Sequence, residues 1–131
     1  MLCSGAFDGI HAGHVRYLQA AQELKESSSD VLVVAVAPDS YIALAKHREP
    51  YWTQADRLTA IRALAVVDAA IVQPTDSVAG VIRQYRPRLF VKGEDWHERL
   101  PEDVIIACQE CGTSIAFVET PGRHVSDAHS G

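Results

Sequence analysis

The sequence of this 131-residue chain predicts an α/β fold, a doubly wound parallel five-stranded sheet with helices on both faces. Short apolar runs alternate along the chain with longer segments whose apolar residues recur every three to four positions. One run, residues 31–37, is apolar throughout, as in a strand that both faces of a parallel sheet bury. The composition, 47% hydrophobic and 22% charged, is typical of one globular domain, expected to span 1–131.

The first half of the chain contains two predicted strands and two predicted helices. The strands span residues 1–4 and 31–37. The second helix begins at Thr53, which has the spacing of a capping box with Asp56. The segment between the second strand and Thr53 is expected to be a loop. The apolar stripes of the two helices are Val15, Leu18, Ala21 and Leu24, and then Leu58, Ile61, Leu64 and Ala65.

The second half of the chain completes the alternation of strands and helices. Strands are predicted at 69–72, 89–91 and 114–118, with a helix before each of the last two. The last helix begins at Pro101 and ends at Gly112. In such sheets, ligands bind beyond the carboxyl ends of the strands. We therefore expect the chemistry on the loops after the first, second and fourth strands.

Charge, hydropathy and cysteine content narrow the expected partners and compartment. The net charge of −5 disfavours nonspecific nucleic-acid binding. A membrane helix needs ~20 consecutive apolar residues, and the sequence has no such run. Three cysteines, an odd number, fit a reducing compartment better than a disulfide framework. We expect a cytoplasmic protein with no nucleic-acid and no membrane partner.

The turn after the first strand carries the most specific pattern in the chain. His11 and His14 flank Gly13 between a strand and the start of a helix. Backbone N–H groups and the positive end of the helix dipole bind phosphate at such a position. Two imidazoles add donors that can follow charge as it moves onto a phosphate oxygen. The stretch therefore predicts a nucleotide-handling site.

The pattern Gly-x-Phe-Asp-x-x-His-x-Gly-His resembles the signature of the cytidylyltransferase-like nucleotidyltransferases, the superfamily with the "HIGH" motif. The resemblance covers residues 1–120 and implies a Rossmann-like sheet, a Mg²⁺ cofactor and a homodimer. It also implies attack by an acceptor phosphate on the α-phosphorus of a nucleoside triphosphate, with His11 and His14 as catalytic residues. The other residues of this stretch that it assigns to nucleotide binding are Gly5, Ala6, Phe7, Asp8 and Gly13.

A second cluster of charged residues follows the second predicted strand. The resembling families place a pair of cations here and an arginine on the next helix, a spacing that Lys46, Arg48 and Arg57 match. The implied role is to offset phosphate repulsion, with Lys46 as a catalytic clamp. Arg48, Arg57 and Asp39 would contact the acceptor or its phosphate. The alternative interpretation is a solvated basic loop.

A third cluster follows the fourth predicted strand. Gly93, Asp95 and Trp96 resemble the Gly-x-Asp-Trp segment of glycerol-phosphate cytidylyltransferases, and with Lys92 they resemble sugar-phosphate nucleotidyltransferases such as heptose 1-phosphate adenylyltransferase. Asp95 could accept hydrogen bonds from a base or ribose, and Trp96 offers a stacking face. The alternative is a strand-ending turn with Trp96 in the core. The resemblance implies a phosphorylated sugar or polyol acceptor and leaves CTP and ATP open.

The end of the chain departs from the family pattern. Related enzymes carry an Ile-Ser-Thr-Thr segment whose hydroxyls hold phosphate, whereas here Ser126 is followed by Asp127 and Ala128. Only Ser126 is retained as a candidate nucleotide-binding residue, and the tail over 121–131 is atypical and expected to be poorly ordered. This departure keeps a second hypothesis open, a degenerate nucleotide-binding module of the same fold without transferase activity.

Cys108 and Cys111 form a single C-x-x-C pair on the last predicted helix. Zinc in a structural site takes four ligands, and no second pair accompanies this one. We therefore expect packed thiols and no metal site.

Overall fold

The computed structural model describes residues 1–119, and its central element is a five-stranded sheet. Each recorded strand pairing is parallel. The strands are β1 (Leu2–Gly5), β2 (Val33–Val36), β3 (Ala69–Val72), β4 (Leu89–Gly93) and β5 (Ser114–Val118). Their order across the sheet is β3-β2-β1-β4-β5. The chain runs from β1 outward to β3 at one edge, then crosses back to β4 beside β1 and continues to β5 at the other edge. The predicted fold class is confirmed.

Within residues 1–119, five α-helices and one 3₁₀ turn cover the sheet, where the sequence predicted four helices. The helices are α1 (Ala12–Gln22), α2 (Asp39–Lys46), α3 (Gln54–Arg62), α4 (Ala79–Tyr85) and α5 (Glu102–Cys111). The 3₁₀ turn spans Glu94–Trp96. Within residues 1–119, none of the helices combines the length and the hydropathy that a bilayer span requires.

The two faces of the sheet bury separate cores. On one face, Leu18 of α1 and Ile61 of α3 pack against alternate strand residues such as Val34 and Val91. On the other face, Ile82 of α4 and residues of α5 pack against the strand residues that point the opposite way. Because successive strand side chains alternate between faces, each buried strand supplies both cores. The expectation of helices on both faces is therefore confirmed.

Helix α2 corrects the expectation of a loop after the second strand. The helix buries one side chain, Ile42, and leaves Leu44 68% exposed, so it has no apolar stripe to reveal it. Its beginning is marked instead by Pro38 at the N-cap and Asp39 in the first turn. Proline is tolerated at a helix start because its missing N–H would have no helical partner there, and an acidic residue is favourable because its charge faces the positive end of the helix dipole.

Several predicted boundaries are corrected by one to three residues. The helices α1 and α3 end at Gln22 and Arg62, before the last predicted apolar positions, because i→i+3 hydrogen bonds tighten the chain there. Leu24 and Leu64 nevertheless pack against the core from those turns. Strand β2 begins at Val33, two residues later than predicted. The capping of α3 by Thr53 is confirmed, since its side chain accepts a hydrogen bond from the Asp56 N–H.

Candidate active site

The candidate site lies where the carboxyl ends of the neighbouring strands β1 and β4 diverge into α1 and the 3₁₀ turn. Tyr17 anchors α1 beneath this point. Its buried hydroxyl donates to the Val91 carbonyl of β4 and lies 3.4 Å from the Ser4 N–H of β1, which donates to it. Burial raises the pKa of the Tyr17 phenol well above its ordinary value, so the hydroxyl stays protonated. The N-terminus of α1 is thereby fixed against both strands.

The imidazoles of His11 and His14 lie at the N-terminus of α1. Residues 7–14, which include both histidines, are hereafter called the histidine turn. His11 is the N-cap residue, and its Nδ1 accepts a hydrogen bond of 3.0 Å from the Gly13 N–H. The Nδ1 atom of His14 in turn accepts a hydrogen bond of 3.2 Å from the His11 N–H. The two rings stack with centroids 3.8 Å apart. The reciprocal bonds make a capping box in which histidines replace the usual hydroxyl and carboxylate.

This pairing fixes the chemistry that the imidazoles can perform. Because Nδ1 of each ring accepts a backbone N–H, the neutral ring carries its proton on Nε2. Each imidazole therefore presents an N–H donor on the side away from the helix backbone. Two such donors at the positive end of a helix dipole suit the oxygens of a phosphate group.

The backbone of the histidine turn is held in conformations that most residues avoid. Phe7 has φ of 52° and Gly9 has φ of 89°. The left-handed conformation of Phe7 is strained, at a cost of about 1–3 kcal/mol, and its ring, 1% exposed, is locked edge-on against His14 at 5.2 Å. Packing of Phe7 therefore holds the ring of His14 in place.

Asp8, predicted to bind nucleotide, holds the chain that follows α2. Its carboxylate accepts hydrogen bonds from the Arg48 guanidinium at 2.8 Å and from the N–H groups of Tyr51 and Trp52 at 3.0 and 2.8 Å. Burial alone would raise the pKa of Asp8, but these three donors together lower it below its ordinary value. The Arg48 guanidinium also stacks on the Tyr51 ring at 3.9 Å. In this structure Asp8 and Arg48 position each other.

Arg57, predicted to meet the acceptor or its phosphate, is fully buried. Its guanidinium donates to the carbonyls of Ala6 and Ala37, which follow β1 and β2, at 2.8 and 2.6 Å. It also donates to the Trp52 carbonyl and, at 2.8 Å, to the carboxylate of Asp39. The structure thus gives Arg57 and Asp39 the task of tying two strand ends to α2 and α3.

Lys46 occupies the last position of α2, and the chain reverses after it through His47, which has φ of 54°. Burial, and next the neighbouring positive charge of Arg48, lowers the pKa of the Lys46 ammonium. Asp8 opposes this shift. Lys46 therefore belongs to the same charged neighbourhood as Asp8 and Arg48, beside the histidine turn.

The third predicted cluster surrounds the end of β4. Lys92 is 5% exposed, and its ammonium donates to the Ser4 carbonyl at 2.9 Å and lies 4.6 Å from the centre of the Trp96 ring. Gly93 closes the strand, and Asp95 lies on the 3₁₀ turn with Trp96. The indole N–H of Trp96 is buried and has no hydrogen-bond partner within residues 1–119. Ser126 lies outside the described residues.

A cavity of about 430 Å³ opens at the carboxyl end of β1, next to the histidine turn. Gly5 and Ala6 form part of its wall, so the cavity and the histidine turn meet at these residues. Its other walls come from α2, from the loop after β3, from β4 with its 3₁₀ turn, and from the start of α5. Most of its side chains are apolar; the polar ones include Gln73, Asp76, Ser77 and Asp103.

The structure therefore brings most predicted residues to one edge of the sheet but divides their roles. His11, His14 and Gly13 form the turn, whereas Lys92 and Trp96 face the cavity. The sequence interpretation missed Tyr17 and the polar lining of the cavity. Tyr17 could have been found as a hydroxyl-bearing residue on the apolar stripe of α1. The lining gave no such signal, because its residues come from separate segments.

Metal-ligand side chains are dispersed in the described part of the chain. Residues 1–119 contain no group of three or more His, Cys, Asp or Glu side chains arranged to hold a metal ion. Mg²⁺ commonly keeps several waters and binds through substrate phosphates with only one or two carboxylates. The residues present are thus compatible with a Mg²⁺ ion carried by a triphosphate. Cys108 is buried in the core on one face, and Cys111 packs beside it as a free thiol.

A parallel sheet with this strand order and a phosphate-type helix N-terminus at its switch point defines a Rossmann-like nucleotide-binding domain. Comparison with known families makes the assignment more specific. Residues 2–122 match the cytidylyltransferase-like family, and the chain belongs to that family.

Individual relatives differ in how much of their length the chain covers. The chain is 34% identical over 129 residues to the bifunctional protein HldE of Methylobacillus flagellatus, covering 95% of this chain and 25% of that protein. It is 33% identical over 108 residues to the FAD synthase of Thermococcus onnurineus, covering 79% of this chain and 69% of that protein. The chain thus spans 19–28% of the length of the HldE relatives that it matches.

A solved structure has the same fold over nearly the whole chain. It is the lipopolysaccharide core biosynthesis protein of Thermoplasma volcanium, with a TM-score of 0.72 and 27% sequence identity. The superposition covers 94% of this chain and 96% of that one. The match therefore extends over the whole doubly wound domain.

Proposed function

We propose that the chain is a nucleotidyltransferase that transfers a nucleoside monophosphate from ATP or CTP to a phosphorylated sugar or polyol, releasing pyrophosphate. The observation that carries the proposal is the paired capping of α1 by His11 and His14, which turns both Nε2–H donors away from the helix backbone. Family membership and the HldE and FAD synthase relatives support the same reaction class.

In this reaction a phosphate oxygen of the acceptor attacks the α-phosphorus of the triphosphate, and the bond from that phosphorus to the bridging oxygen breaks. His11 and His14 stabilise the charge that develops on the phosphate oxygens. Lys46 offsets the repulsion between the two phosphates from the side of α2. Mg²⁺, when bound with the triphosphate, neutralises part of its charge. Positioning and charge stabilisation supply the rate without a covalent enzyme intermediate.

The cavity is the proposed seat of the acceptor. It meets the histidine turn at Gly5 and Ala6, so an acceptor held there would have its phosphate beside the triphosphate. The nucleotide itself would lie over the N-terminus of α1, with Asp95 near its base or ribose. Trp96, which lines the cavity, would lie between the nucleotide and the acceptor. Because catalysis requires the reacting atoms to be held close together, two adjoining sites suit a two-substrate transfer.

The first test separates nucleotide binding from transfer. We would titrate the purified chain with ATP, CTP, GTP and UTP in Mg²⁺ by calorimetry, and then measure pyrophosphate release with heptose 1-phosphate, glycerol 3-phosphate and flavin mononucleotide as acceptors. The last acceptor is included because of the FAD synthase relative. Binding of ATP or CTP with release of pyrophosphate by one acceptor is the expected result.

The second candidate function is nucleotide binding without transfer, in a degenerate member of the family. It is favoured by Asp127 and Ala128, which replace two hydroxyl residues of the family pattern. Nucleotide binding without pyrophosphate release by any of the three acceptors would support this candidate. If none of the four triphosphates binds, both candidate functions are contradicted.

A further inference from the structure

The neighbouring strands β1 and β4 separate before either of them ends. The last pair recorded between them joins Cys3 to Val91. Both strands continue beyond this pair, as residues 4–5 of β1 and 92–93 of β4, and each is still paired there with its outer neighbour. The space between these two segments, hereafter the strand gap, opens at the edge of the sheet that the histidine turn and the 3₁₀ turn follow.

Tyr17 reaches the strand gap from the face of the sheet that α1 covers. Its hydroxyl donates to the Val91 carbonyl of β4 and accepts the Ser4 N–H of β1 at 3.4 Å. The Tyr17 side chain is 8% exposed, belongs to the core on that face and is not part of the cavity wall. The hydroxyl therefore joins the two strands where their pairing ends, at a point that a ligand in the cavity does not reach.

Lys92 reaches the strand gap from the opposite face. Strand side chains alternate between faces, so Lys92 points to the same side as Phe90, which packs with α4 and α5. In a continued parallel ladder the Ser4 carbonyl would accept the Gly93 N–H. Here that carbonyl accepts the Lys92 ammonium at 2.9 Å, and the ammonium also lies 4.6 Å from the centre of the Trp96 ring. Lys92 thus links the end of β1 to the 3₁₀ turn.

We propose that Tyr17 and Lys92 are positioning residues, which hold the strand gap at a fixed width and thereby set the distance between the histidine turn and the 3₁₀ turn. The inference rests on the proposed function, in which the histidine turn holds the triphosphate and the 3₁₀ turn lies near its base or ribose. Lys92, which the family resemblance assigns to nucleotide binding, then acts through the Ser4 carbonyl. Positioning of this kind matters because a displacement of about 1 Å at a reacting centre can lower the rate ~10²-fold.

The first measurement is amide hydrogen exchange of the full chain without nucleotide, for Tyr17→Phe and for Lys92→Met. Each substitution removes the polar group at the strand gap and keeps most of the side-chain volume. The hydrogen-bonded amides of His11 and Gly13 in the histidine turn, and of His97 at the 3₁₀ turn, should exchange ~10-fold or more faster than in the wild type. The amides of α4 and α5 should keep their wild-type rates, because the opening is local.

Matched controls make the same chemical changes away from the strand gap. Tyr85→Phe removes a hydroxyl from an exposed tyrosine at the end of α4. Lys25→Met removes the ammonium that pairs with Asp68 at the surface. Both control variants should exchange like the wild type at His11, Gly13 and His97.

The second measurement connects the strand gap to transfer. With saturating nucleotide and acceptor, Tyr17→Phe and Lys92→Met should each lower the rate of pyrophosphate release ~10-fold or more, because both misplace the same backbone. A residue that only binds substrate would instead raise KM at an unchanged kcat. Because Tyr17 does not line the cavity, contact with an acceptor there cannot account for a loss of kcat in Tyr17→Phe.

Two results would overturn the inference. One is wild-type exchange at the histidine turn and the 3₁₀ turn in Lys92→Met, which also decides the matter if Tyr17→Phe does not fold. The other is weaker nucleotide or acceptor binding by Lys92→Met with wild-type behaviour of Tyr17→Phe, since Lys92 would then be a ligand of the substrate. The proposed function fails separately. If exchange changes as expected but the wild-type chain releases no pyrophosphate with any acceptor, the role of the strand gap stands and the transferase assignment is wrong.

Discussion

The histidine turn and the cavity lie on either side of the β1 end but are built in opposite ways. The turn is eight consecutive residues, 7–14, whose groups hydrogen-bond to one another within three positions of sequence. The cavity takes its walls from the ends of β1 and β4 and from segments as distant as α2 and α5. The histidine pair is thus encoded locally, whereas the shape of the cavity depends on the whole fold.

If the cavity holds the acceptor as proposed, this difference would let one fold serve many acceptors. The turn can remain intact while α2, the loop after β3 or the start of α5 changes, because none of these segments supplies His11 or His14. Arg57 is the exception, since its guanidinium binds the carbonyls of Ala6 and Ala37, which line the cavity, and also holds the chain that Asp8 contacts. It couples the two regions.

The largest expected effect therefore comes from Arg57→Lys. A lysine keeps the charge but cannot reach four acceptors at once, so buried carbonyls lose their partners. We expect the free energy of unfolding, measured by urea denaturation, to fall by about 3–5 kcal/mol, because each buried carbonyl left without a partner costs about 1–3 kcal/mol. Arg16→Lys, at an exposed position on α1, is the control. A wild-type urea midpoint with lost transfer would instead mean that Arg57 acts on a substrate phosphate.

A smaller loss of stability is expected for Asp8→Asn, which changes a residue of the histidine turn. The loss of a charged acceptor for Arg48 and two backbone donors should destabilise the fold by about 1.5–3 kcal/mol at neutral pH. The folded pKa of Asp8 lies below its ordinary value of 3.8, so its charge stabilises the fold above that pH and this contribution is lost as pH falls below it.

The pH dependence of this variant supplies the check. Chemical denaturation should show a constant difference between wild type and Asp8→Asn from about pH 7 to about pH 5, and a smaller difference below about pH 4. A difference in the free energy of unfolding that does not change with pH would mean that the negative charge of Asp8 does not contribute to stability.

The smallest effect is expected for Ala45→Phe, which adds bulk to the cavity from an exposed position on α2. The KM for the acceptor should rise ~10-fold while the affinity for nucleotide stays the same, because the change removes ground-state and transition-state contacts alike. Ala55→Phe, exposed on α3 and outside the cavity, should change neither quantity. Weaker nucleotide binding by Ala45→Phe would show that the nucleotide also occupies the cavity.

The contrast between the regions also sets what the sequence could predict. The alternation of strands and helices and the turn around His11 and His14 were readable because they depend on periodicity and short spacing. Helix α2 was missed because Ile42 is its one buried side chain, so it has no apolar stripe. The burial of Arg57 was missed because an arginine at a phosphate site and one that ties strand ends look alike in sequence. Asp76 and Asp103 were missed because they line the same cavity only in the folded chain.

The most direct test of the role proposed for the histidine turn is the rate of pyrophosphate release by His14→Ala with saturating nucleotide and acceptor. We expect a fall of ~10²-fold or more, because a charge-stabilising donor is lost at the phosphates, in a variant that urea denaturation shows to be still folded. His97→Ala, an exposed histidine outside the turn and the cavity, should keep the wild-type rate. Full turnover by His14→Ala would contradict the role assigned to the histidine turn.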